Sequence, residues 1–153
     1  MDTLFNVLHV VAAVFIVGPM AILPMTGLRA IRSGNAAQIT TLAKSVFVFT
    51  LVSLVVVFFG FAALGMSDPK DNFSIASPWI WISIVAYVIA LALNLFLVVP
   101  AMRKAGASAA ASGTPGSAAA VDAKPEGYSR IAAGSGIVSL LLVLVVVLMV
   151  WKP

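Results

Sequence analysis

The sequence predicts an all-α polytopic membrane protein: four transmembrane helices in an up-down bundle, with both termini outside the cytoplasm. Three observations carry this. Of the 153 residues, 62% are hydrophobic and 9% charged, and mean hydropathy is +1.15, outside the ordinary soluble range. The apolar residues gather in four runs, about 4–28, 40–64, 78–99 and 131–151. Each has at least the roughly 20 residues that cross about 30 Å of hydrocarbon as a helix. The nine basic residues are also unevenly placed. Arg29, Arg32, Lys44, Arg103, Lys104, Lys124 and Arg130 belong to the side of the first and third connections, and only Lys70 and Lys152 to the other. Basic loops stay in the cytoplasm, which orients the bundle.

Residues 1–153 read as one membrane domain, leaving little chain for a separate soluble module. The chain has no Cys, which excludes disulfides and thiolate metal sites. The net charge of +4 reads as membrane topology rather than nucleic-acid binding, because the basic residues lie at span ends.

The first run opens on "MDTLFN", without a basic leader segment, and is too long for the apolar core of a signal peptide, so it is expected to be retained as the first span. Pro19 and Pro24 lie inside it. Neither can donate to the carbonyl four residues earlier, so a bend is expected in the inner half of the span. The second run, with "VSLVVVFF", is too long and too continuous for a barrel strand. The third begins with Trp79 and Trp81 and the fourth ends at Trp151; these indoles are expected as anchors at the outer interface. Between the third and fourth runs, residues 103–128 are rich in Ala, Ser and Gly with two prolines, and read as a flexible cytoplasmic linker. "LPMTGLRAIR" and "VPAMRKAG", at the inner ends of the first and third runs, form a faint internal echo.

Polar residues within spans are where membrane proteins keep their chemistry. No acidic residue lies in any run, and Lys44, near the inner end of the second, is the one basic residue. Ion-coupled transport and voltage sensing lose ground on that account. His9, the chain's one histidine, lies near the outer end of the first run with Asn6 one turn before it. Both are expected to turn toward a helix interface, with Tyr87 as a candidate partner for the imidazole. The alternative role for His9 is as a haem or copper ligand. Ala86, Ala90 and Asn94 recur every four residues as a small-residue packing stripe, and Gly134, Gly136 and Gly60 are expected to allow close helix approach. Arg29, Arg32, Arg103 and Lys104 are placed to meet lipid headgroups or acidic partner loops.

On "LHVVAAVFIVG", Pro24 and "LRAIRSG", the chain resembles the small four-helix bacterial membrane proteins of unknown function. Its histidine-bearing first helix is also similar to that of the copper-resistance D type and bacterial protoporphyrinogen-oxidase type membrane families. That second likeness implies a haem ligand at His9, without the charged or His residues those families carry in later helices. The Ala/Val-rich composition and Ala/Ser/Gly linker are similar to actinobacterial accessory subunits of the cytochrome bcc–cytochrome oxidase supercomplex. This implies cofactor-free helices packed around catalytic ones.

The sequence reading is therefore a non-catalytic accessory or assembly subunit of a respiratory electron-transport complex in the bacterial plasma membrane. It has no catalytic residue, metal site or cofactor; its partners are other integral membrane subunits, a cytochrome complex first among them, and membrane lipids. A haem-binding oxidoreductase using His9 is the alternative. A small-molecule carrier with a niche at Gly18 and Pro19 is the third.

Overall fold

The computed structural model describes residues 2–66, 77–112 and 127–151. Its elements are α1 (Asp2–Ala12), a first π turn (Ala13–Val17), α2 (Gly18–Arg32), α3 (Ala36–Gly65), α4 (Pro78–Leu93), a second π turn (Asn94–Val98), α5 (Val99–Ala111) and α6 (Tyr128–Trp151). Joined end to end they form four helices long and apolar enough to cross a membrane: Thr3–Arg32, Ala36–Gly65, Pro78–Ala111 and Tyr128–Trp151, of 30, 30, 34 and 24 residues. No strand occurs among the described residues.

The first two spans are joined by a turn that local chemistry specifies fully. Gly34, at φ +65°, takes the left-handed position that ends α2. Its amide bonds to the Ile31 carbonyl at 3.2 Å, and the Asn35 amide bonds back to Ala30 at 3.2 Å. These two bonds satisfy carbonyls that the helix end leaves over. Asn35 then starts α3, its side-chain oxygen accepting from the Gln38 amide at 3.0 Å. Three residues suffice to reverse the chain.

Along α3 the buried positions are Ile39, Ala43, Val46, Thr50, Ser53, Val56 and Ala63, a stripe repeating every three to four residues. It runs antiparallel to its neighbours. Ser53 meets Tyr87 and Thr50 meets Asn94, Gly134 lies against Leu97 and Val98, and Ser139 reaches Ala21. The four spans therefore go up and down in sequence order around a ring. Asp2, Gly65, Pro78 and Trp151 share one end, and Arg32, Ala36, Ala111 and Tyr128 the other.

The core narrows along this axis. At the basic end it draws on all four spans, with Ile31, Ile39, Val46, Val98, Met102 and Ile131 among its members. Midway it consists of Met20, Ala90, Val138 and Leu142. At the far end Trp79, Ile80 and Leu148 remain, from the third and fourth spans. There α1 packs chiefly on α3 and α4 on α6.

Several expectations need revision. The first span departs from α geometry at Ala13–Val17, on the outer side of Pro19, while Pro24 lies buried within a continuous α2. A wider turn lets the chain accommodate a proline that cannot bond to the carbonyl four residues back. The third span repeats the device, since its π turn at Asn94–Val98 also ends two residues before a proline, Pro100. The internal echo thus extends to backbone geometry. Trp79, expected as an interface anchor, is buried with Ile80 and Leu148, whereas Trp81 and Trp151 are exposed. Residues 103–111, assigned to the linker, are helical. Their small side chains have a packing use: a Cβ on Gly106 would stand 2.9 Å from Thr40 Oγ1, so α5 lies directly against the start of α3. Residues 113–126 of the linker, with Lys124, fall outside the described residues, as do Lys70 and Lys152.

Candidate functional site

His9 is positioned from α1 against α3. Its Nδ1 lies 2.8 Å from the Val56 carbonyl oxygen. A carbonyl only accepts, so Nδ1 carries the hydrogen and donates, and in the neutral ring Nε2 keeps its lone pair. The imidazole rests on Gly60, where a Cβ would approach His9 Cε1 to 2.8 Å. Gly60 therefore makes room for the ring rather than for a helix backbone. Among the described residues the one buried side-chain nitrogen or oxygen without a partner is Asn94 Oδ1. The His9 ring is half-buried, and its Nε2 is not such an atom.

Tyr87 is not the partner of His9. Its hydroxyl lies 2.6 Å from Ser53 Oγ, and Ser53 Oγ spends its hydrogen on the Thr50 carbonyl at 2.6 Å. Tyr87 is thus the donor to Ser53. Thr50 Oγ1 donates to Val46 O at 2.7 Å and receives Asn94 Nδ2 at 3.4 Å. Tyr87, Ser53, Thr50 and Asn94 form a polar column between the second and third spans. Asn6, expected to face inward with His9, is exposed on α1.

A further tie joins the fourth span to the first, where Ser139 Oγ donates to Ala21 O at 3.1 Å. Ala21 neighbours Met20, whose carbonyl Pro24 cannot serve. His9, Tyr87, Asn94 and Ser139 each join neighbouring spans.

The packing residues divide by contact. Ala86, Ala90 and Asn94 are buried along one stripe, and Ala90 belongs to the cluster with Met20, Val138 and Leu142. Gly134 allows close approach, since a Cβ there would stand 2.6 Å from Leu97 Cδ2. Gly136 does not: nothing lies within 4 Å of its Cβ position, nor of that at Gly18. Arg29, Arg32, Arg103 and Lys104 are all exposed at one end of the bundle. Arg32 stacks over the Tyr128 ring at 5.0 Å, and Arg103 over Phe47 at 5.1 Å, fixing two of the charges by cation–π contact. No group of three or more His, Cys, Asp or Glu able to hold a metal occurs among the described residues.

Four antiparallel apolar spans, tied by single polar side chains and basic at one end, define an all-α integral membrane protein. The chain belongs to the family described as predicted integral membrane protein (DUF2269), whose model matches residues 3–153. No curated protein and no solved structure matches it.

Proposed function

We propose that the chain is a non-catalytic accessory or assembly subunit that packs against a larger complex in the bacterial plasma membrane, with its basic end in the cytoplasm. The observation that carries this is the uneven burial of its spans. In the most apolar window of the first span 11% of residues are buried inside the bundle, against 28%, 33% and 33% in the other three. Val7, Val10, Val14 and Phe15 are each more than half exposed, and Asn6 is exposed on the same helix. Apolar area alone suits lipid equally well, but an amide beside it favours a protein neighbour that can return a hydrogen bond. Arg29 and Lys104, with Arg32 and Arg103 held on their rings, are suited to anionic headgroups or acidic partner loops. The respiratory assignment rests on the likeness of composition and linker to accessory subunits of cytochrome supercomplexes.

A photo-crosslinking residue at Val10, compared with one at the exposed Leu140 of α6, tests the surface. The expected result is a single integral membrane protein adduct from Val10 and lipid adducts from Leu140. Lipid adducts from both would overturn the proposal.

The bond from His9 Nδ1 to Val56 favours a second reading, ligation of haem iron through Nε2. Ligating histidines commonly anchor the other ring nitrogen in this way. The chain purified from haem-replete cells should then show a Soret band that His9→Ala removes. A wild-type spectrum without the band rejects it.

A further inference from the structure

We infer that the centre of the bundle holds a bound water molecule that donates to Asn94 Oδ1. Asn94 is fully buried, and its orientation is set by the hydrogen bond that its Nδ2 makes to Thr50 Oγ1. The reversed amide would bring an acceptor to a hydroxyl whose hydrogen is already committed to Val46 O. Oδ1 is therefore the atom left over, and no described protein donor reaches it. Ser53 cannot serve it, because its hydrogen goes to the Thr50 carbonyl, and Tyr87 donates to Ser53.

Buried amide oxygens without a protein partner are the usual sites of internal water, which supplies the missing donor. Ala90 and Ala86 stack above Asn94 on the same face of the third span, and Thr50 and Ser53 stand across from it. The site lies about 13 Å along the helix from Arg103, far from either end of the span. This inference is independent of any partner subunit.

Hydroxyl-radical footprinting of the full-length protein in detergent, with exchange into 18O-labelled water, is the test. Bound internal water modifies neighbouring side chains even where bulk solvent has no access, and it exchanges slowly. The peptide holding Leu91, Leu93 and Leu95 is expected to be modified and to take up 18O more slowly than surface peptides. Asn94→Leu, which keeps the volume and removes the acceptor, should abolish this, while Thr50→Val should retain it. Where Asn94→Leu does not fold, the wild-type exchange rate decides. A wild-type peptide no more modified than Leu140–Leu144 of α6, or one exchanging as fast as the surface, overturns the inference.

Discussion

Gly60 acts through what it lacks. An alanine methyl there would stand 2.8 Å from His9 Cε1 and 3.1 Å from Nδ1, so Gly60→Ala must push the imidazole off the Val56 carbonyl. A loss of about 1–3 kcal/mol in detergent unfolding is expected, typical of overpacking. Gly136→Ala, with nothing within 4 Å, should instead be neutral or stabilising by up to about 1 kcal/mol, the helix-propensity gain alone. Equal losses at the two sites would show that His9 plays no part. Both His9 and Gly60 stand out in the sequence, one as the lone imidazole and the other as a glycine in an apolar run. Their pairing is not legible there, because the acceptor is a backbone carbonyl that leaves no signature. Tyr87 was assignable to the right depth but not to the right neighbour, since side-chain direction and not depth placed it on Ser53.

Among the elements, the turn between α2 and α3 has the most local specification. Gly34→Ala should cost about 1–2 kcal/mol for a side chain in the left-handed region, and Asn35→Ala about 1 kcal/mol for the lost cap; thermal unfolding of each variant measures both. The four spans were legible because length and hydropathy suffice to identify a membrane helix. The π turns were not: Pro19 reads as a simple bend, and nothing in the sequence marks a wider turn ahead of Pro100. The helical stretch of α5 beyond Arg103 was misread because Ala, Ser and Gly suit a linker and also suit a helix that must lie close to another. Amides of residues 105–111 should therefore exchange on the order of 10–100-fold more slowly than an unstructured chain. Exchange at the unstructured rate would restore the linker reading.

At the scale of the whole molecule, the bundle is closed at its basic end by a core from all four spans and leaves α1 held mainly by α3 at the other. The orientation proposed rests on charge, and the absence of Cys makes it simple to measure. A cysteine at Ser108, beyond Arg103 on α5, should react with a membrane-impermeant thiol reagent only in permeabilised cells. One at Met66, at the opposite end, should react in intact cells; the reverse pattern would invert the topology. The measurement that bears most directly on the central proposal is quantitative mass spectrometry of what co-purifies with the tagged chain from its native membranes in mild detergent. Stoichiometric recovery of cytochrome subunits, lost when Val7, Val10 and Phe15 are changed together to Ala, is the expected result. Recovery of the chain alone, stable and in good yield, would contradict it.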